Sequence, residues 1–317
     1  SIPVAKKIVK RTLILILLGI SLEWFSWFCY YWTIAPANLS FIKNVMASII
    51  DCWSLRLSGV LQRLAISYGV AAFWVFLIRH RFIPYLIGGL LTVYTIILWC
   101  GNGFAYDETN ILSWVDYKVL TANHMYGDHG IDPEGVLSTL PSIAHVLLGF
   151  WIGHYLVNKD FKISRQLLLQ SQMLTLFMWG VVFTFSGFLL SYGCPINKKI
   201  WSPTFVLVSC GMGCSLLALL LWLVDMKGYR KGCLFFESFG VNPLFCYVTA
   251  SALAIVCATP FFSFQGKPIC IRHVFYEQVL QPVFGNYGGS FLYAIGFVLL
   301  NWCIGYLLYR RRIFIKL

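Results

Sequence analysis

The 317 residues are 59% hydrophobic, 17% aromatic and only 11% charged, whereas a soluble domain carries roughly 25% charged and 45–50% apolar residues. That balance excludes a water-soluble globular fold. The net charge of +12 raises nucleic acid as a partner. However, the basic residues are divided among short segments between apolar runs and do not cluster with aromatics on one face, so no nucleic-acid partner is expected.

Apolar stretches suited to a hydrocarbon core of about 30 Å, which takes about 20 residues, fall near 12–33, 58–78, 83–100, 138–157, 167–191, 204–224, 234–257 and 289–309. They predict an all-α polytopic membrane bundle of about eight transmembrane helices, with the lipid bilayer as its solvent. No Ser/Pro-rich or charged linker interrupts the series, so 1–317 reads as one transmembrane domain. The first run is too long for the apolar part of a signal peptide, and no small-residue cleavage site follows it. Lys6 to Arg11, Arg79, Arg81, Lys159 to Arg165, Lys227 to Lys231 and Arg310 to Lys316 hold 16 of the 24 basic residues. These are alternate inter-span segments, so the positive-inside rule puts both termini in the cytoplasm. The 101–137 loop falls outside and gathers Asp107, Glu108, Asp116, Asp128, Asp132 and Glu134 against a single Lys118. The eleven cysteines lie scattered with no C-x-x-C pair. Cys52, Cys194 and Cys270 fall on the outer side, but no pairing is assigned.

Polar groups at membrane depth are expensive and so usually have a partner or a task. Taken along the chain, the first is Glu23 in the first span, which reads as an interior residue before it reads as a catalyst. Arg63 follows, a little over a turn inside the second span and seven residues after Arg56, a spacing that puts both on one face of a continuous helix. It reads either as a clamp for an anion or an acidic-loop carboxylate, or as an interfacial Arg snorkelling to water. In the loop, His124 and His129 with Asp128 make only a weak metal signal, and no metal is expected. Asp132-Pro133-Glu134-Gly135 precedes the fourth span, where carboxylates favour the helix N-terminus and Ser138 or Thr139 can cap it. Glu134 is also the partner expected for Arg63. His145 lies alone in the fourth span.

Asn197-Lys198-Lys199-Ile200-Trp201-Ser202 forms the turn between the fifth and sixth spans. Lys beside Trp suits a membrane interface, and it equally suits a sugar- or anion-binding rim. In the seventh span, Pro243 cannot donate to the carbonyl of Phe239 and Gly240 loosens the same turn, which predicts a kink or break. Such breaks persist where they line a cavity, which would make Asn242 and Glu237 cavity groups. The alternative is a packed kink with Asn242 bonded to a neighbouring helix.

Together, Gly59-Val60-Leu61-Gln62-Arg63, Asp132 to Thr139, Asn197 to Ser202, Gly240-Val241-Asn242-Pro243 and the tail Leu307 to Lys316 resemble the heparan-α-glucosaminide N-acetyltransferase family, including its bacterial relatives. The resemblance implies transfer of an acetyl group from cytoplasmic acetyl-CoA, as co-substrate, to the amino group of a sugar on the far side of the membrane. It makes Arg63, Glu134, Asn197, Lys198, Trp201, Ser202 and Asn242 candidates for binding donor or acceptor or for shaping the site, with Glu23, His124 and His145 behind them. It also implies further spans ahead of Ser1 carrying the family's catalytic His, a role that no residue here inherits. The chain is therefore expected to be a fragment or a relative without its catalytic head. The compact loops suggest a bacterial cytoplasmic membrane; the oligomeric state stays open. Two other readings stand beside this one: a carrier for a sugar or lipid-linked substrate, and a membrane O-acyltransferase.

Overall fold

The computed structural model describes residues 2–34, 41–126, 130–157, 164–264 and 267–315, apart from 51–54. Cys52, Asp128, His129, Lys159, Lys162, Lys316 and Asn38-Leu39-Ser40, an Asn-x-Ser triplet of the kind that accepts N-glycans, lie outside the described residues. The helices are α1 (Ile2–Ile34), α2 (Phe41–Ile50), α3 (Val60–Leu77), α4 (Ile83–Cys100), α5 (Ile111–Leu120), α6 (Thr139–Val157) and α7 (Arg165–Leu190). They continue with α8 (Pro203–Leu220), α9 (Cys233–Val241), α10 (Pro243–Ala258), the short α11 (Ile271–His273) and α12 (Gln281–Arg310). Among the described residues, seven helical stretches are long and apolar enough to cross a membrane, or eight if the bent pair α9 and α10 forms one span. This is the all-α polytopic membrane bundle expected from the sequence. A two-stranded antiparallel ribbon, β1 (Phe262–Phe264) with β2 (Lys267–Ile269), is the small exception.

The chain divides into two compact units: Ser1–Gly19 with Arg56–Tyr229, and Ile20–Leu55 with Arg230–Leu317. In the first, Ile83, Ile87 and Leu91 of α4, Ala144, Leu147 and Leu148 of α6, Leu176 of α7 and Val206 of α8 form a continuous buried core with Ala71 of α3. The helices α7 and α8 approach through small residues. A Cβ on Gly211 would stand 2.9 Å from the carbonyl oxygen of Gly180, the contact by which membrane helices gain dispersion energy without a hydrophobic drive. The opposite face of α7 leaves Phe185 and Leu174 70% and 62% exposed, as a lipid-facing surface should.

A second, smaller core of the first unit lies beneath the 101–137 segment, where Tyr94, Leu98, Leu112, Ile131 and Ile200 pack together. It exists because that segment is not all loop. Asn110 caps α5 by accepting a hydrogen bond from Leu112 N (2.9 Å), and its amide donates to the carbonyls of Gly103 and Ala105.

In the second unit, α9 and α10 meet at an angle of 89°. Pro243 starts α10, and Asn242 between the helices is neither α-helical nor extended (φ −128°, ψ 54°). The break expected at Pro243 is therefore present. The helix α12 contains its own interruption at Gly285 (φ 69°, ψ 179°).

Candidate functional site

The richest polar cluster of the first unit gathers where α3 and α6 begin, against the 130–138 segment and the 197–202 turn. Asp132 is its organiser and is fully buried. It accepts from Arg56 Nη2 (2.6 Å), Ser58 Oγ (2.6 Å), Tyr126 N (3.1 Å) and Glu134 N (2.9 Å). Burial would raise its carboxyl, but the hydrogen bonds from Arg56 and Ser58 and the Arg56 charge together hold it below the ordinary carboxylate value. Arg56 also reaches Glu134 Oε2 at 2.6 Å and stacks over Tyr126, 5.0 Å from the ring centre.

The expected Arg63–Glu134 pair is thus not formed. The helix α3 begins at Val60, so Arg56 precedes it outside any regular element and takes both carboxylates, while Arg63 points deeper. Arg63 is only 6% exposed. It donates to the carbonyl of Pro133 at 2.6 Å and to Ser138 Oγ. Its guanidinium lies over the Trp201 ring at 4.4 Å. One turn further in, the hydroxyls of Ser67 and Ser142 meet at 2.8 Å, which extends a polar seam between α3 and α6. His145 follows on α6, its ring 6.0 Å from that of Trp201.

The 197–202 turn holds Trp201 in place. Ser202 N donates to the Asn197 carbonyl, and Asn197 N donates to Ser202 Oγ, each at 3.0 Å. Ser202 Oγ also accepts from Phe205 N at the start of α8. This staple places Trp201 in the left-handed region (φ 51°), uncommon for a bulky residue and costing of order 1–3 kcal/mol. Asn197 and Ser202 therefore build the turn, and Lys198 lies exposed beside it.

Asp116 is a site residue that the sequence motifs did not single out. Its Oδ1 accepts from Val136 N at 2.8 Å. Oδ2 is buried without a hydrogen-bond partner among the described residues and lies against Gly135, where a Cβ would stand 2.0 Å away. Burial pushes this carboxyl up to about 6, against the pull of the Val136 N–H and the Arg63 charge. Asn110 ahead of an amphipathic ten-residue run was the available signal, since Asn is a preferred N-cap.

The remaining candidates take other places in the chain. His124 ends a short turn and is tied through its carbonyl to Leu57 N. Glu23 and Asn242 belong to the second unit. Asn242 is 1% exposed; its Nδ2 donates to the carbonyl of Ile313 at 2.9 Å, and its Oδ1 accepts from Ile315 N at 2.8 Å. It pins the segment that leaves α12. Glu237 lies near the Tyr309 hydroxyl.

These features define a polytopic α-helical integral membrane protein whose first unit carries a buried cationic, aromatic and imidazole cluster at one end. No protein-family model matches the chain. Over 219 residues, 64% of the chain, it is 28% identical to heparan-alpha-glucosaminide N-acetyltransferase of Mus musculus, and over 215 residues it is 25% identical to the Homo sapiens protein of that name. The chain thus resembles this family of membrane N-acetyltransferases and spans about 30% of the length of the curated relatives it matches.

Proposed function

We propose that this chain forms part of a membrane acetyltransferase that moves an acetyl group from acetyl-CoA to the amino group of a sugar. The observation that carries the reading is the similarity, over 64% of the chain, to two relatives named as N-acetyltransferases. The charge distribution supports an arrangement with both termini in the cytoplasm and the 101–137 end outside, as in a bacterial cytoplasmic membrane. On that arrangement the donor enters from the basic end, and the acceptor meets the Arg63, Trp201 and His145 cluster at the other. A reaction of this kind needs a base for the acceptor ammonium and donors that polarise the thioester carbonyl.

The test uses membranes from cells expressing the full coding sequence, supplied with acetyl-labelled acetyl-CoA and glucosamine. Label recovered in N-acetylated sugar is the expected result. Sugar crossing the membrane without label would replace the enzyme with a carrier. Label in an ester would make it an O-acyltransferase.

A further inference from the structure

Among the described residues, Arg63 is a buried cation without a direct ion pair, although the carboxylates of Glu134, Asp132 and Asp116 act on its charge from further away. Its two hydrogen bonds go to neutral oxygens, the Pro133 carbonyl and the Ser138 hydroxyl. Among the described residues it forms no ion pair: Asp132 and Glu134 are held by Arg56, and Asp116 accepts from the Val136 N–H. A guanidinium within a membrane span has lost its hydration, and that loss is offset by opposite charges and by hydrogen bonds to backbone carbonyls, of which Arg63 has one.

The neighbours of Arg63 are incomplete in the same sense. Among the described residues, Arg63 Nε, Trp201 Nε1 and His145 Nδ1 are buried and have no hydrogen-bond partner. All three belong to side chains grouped on one indole, at 4.4 Å for the guanidinium and 6.0 Å for the imidazole. Arg Nε and Trp Nε1 can only donate, and His Nδ1 donates in one tautomer. Buried donors are paired in nearly all native structures, so three unpaired ones around a single ring call for an acceptor from outside the chain. The left-handed backbone of Trp201 (φ 51°) adds strain of the kind that concentrates at binding sites.

We infer that Arg63, Trp201 and His145 form a subsite for an oxygen bearing negative charge on a bound substrate. The inference rests on the acetyl-transfer reading for which substrate that is. Two sources share this chemistry. One is a carboxylate carried by the amino-sugar acceptor. The other is the carbonyl oxygen of the acetyl thioester. The acceptor ammonium first loses one proton to solvent. Its nitrogen then bonds to the carbonyl carbon, and the π electrons move onto oxygen. Collapse restores C=O and breaks the C–S bond, and the departing thiolate takes the second proton from nitrogen. Donors aimed at that oxygen favour the step because they are in place before the charge develops.

The experiment compares a glucosaminide bearing a carboxylate on its aglycone with the methyl ester of the same compound, using the full-length protein and its Arg63→Gln, Arg63→Lys and Trp201→Phe variants. Acetyl transfer and direct calorimetric binding of each sugar are both measured, with the melting temperature recorded for every variant. If the oxygen belongs to the acceptor, the wild type prefers the acid over the ester by about 10-fold or more in KM, and Arg63→Gln removes the preference. If it is the thioester oxygen, Arg63→Gln lowers kcat about 100-fold on both sugars with KM unchanged. Trp201→Phe, which keeps the ring and removes the N–H, moves the same parameter by a smaller factor. Should Arg63→Gln fail to fold, Arg63→Lys retains the charge without the fork and reads the same parameters. Absence of acetyl transfer from the wild type, with acid binding lost in Arg63→Gln, would overturn the enzyme reading and leave the subsite standing. Transfer and binding both within twofold of wild type in Arg63→Gln would overturn the subsite.

Discussion

Arg63 in the first unit and Asn242 in the second are both polar side chains buried among apolar helices, yet their surroundings differ in kind. Asn242 has its amide nitrogen and oxygen engaged by the backbone of Ile313 and Ile315, so its polarity is consumed inside the protein. Among the described residues, Arg63 retains a buried N–H without a partner and forms no direct ion pair. The first arrangement joins two pieces of chain; the second stays open to an incoming group. The contrast teaches that depth in an apolar helix does not mark function until the hydrogen-bond partners are traced.

The largest effect expected on folding is at Arg56. Arg56→Gln leaves Asp132 buried with Glu134 beside it, and losing one partner of such a network should lower stability by about 3–5 kcal/mol, measured by thermal or denaturant unfolding in detergent. A loss below about 1 kcal/mol would mean that Arg56 is no more committed to structure than Arg63.

Asn242→Leu keeps the volume and removes the amide. It should lower stability by about 1–3 kcal/mol, because the Ile315 N–H and the Ile313 carbonyl lose their partner. Acetyl-CoA affinity should be unchanged within twofold. Weaker binding at unchanged melting temperature would return Asn242 to the ligand path and dissolve the contrast.

Asp116 sharpens the comparison through pH. Its carboxyl titrates near 3.8 in the unfolded chain and at about 6 when folded. Between those values the folded protein holds the extra proton, so stability falls as pH rises through the window and levels off above it. The expected span is about 1–3 kcal/mol. Asp132 acts in the opposite sense and lower down: its contribution is present above pH 3.8 and fades as acid protonates it. Melting curves from pH 4.5 to 7 should show the Asp116 slope, and Asp116→Asn should flatten it.

The smallest effect on stability is expected at Arg63 itself. Removing a buried charge that has no direct ion pair offsets the two lost hydrogen bonds, so Arg63→Gln should change stability by less than about 1 kcal/mol while altering substrate handling. A loss of several kcal/mol in unfolding experiments would show that Arg63 is a structural clamp like Arg56.

Much of the fold was legible because a span advertises itself by length and apolarity alone. The eight runs match seven long apolar stretches plus the bent pair α9 and α10, and the break at Pro243 follows from its missing N–H. Partner choice was harder to read. The contacts of Asn242 lie 71 and 73 residues along the chain, a distance over which periodicity says nothing. Arg63 and Glu134 were expected to pair, but the start of α3 at Val60 leaves Arg56 nearer the carboxylates. Asp116 escaped notice because α5 is too short to signal a span, and its burial depends on packing with Gly135 and Val136.

The interruption at Gly285 governs how far the chain travels through the bilayer. A continuous helix from Ile271 to Arg310 has 40 residues and would extend about 60 Å, twice the thickness of the hydrocarbon layer. The turn at φ 69° divides that rod, leaving about 25 residues after it, or about 38 Å, enough to cross with modest tilt. Gly285 thereby acts as a ruler for the last crossing. Any side chain there resists the left-handed conformation, and a helix straightened through this point would thrust Arg310 and its neighbours out of register with the membrane surface they border.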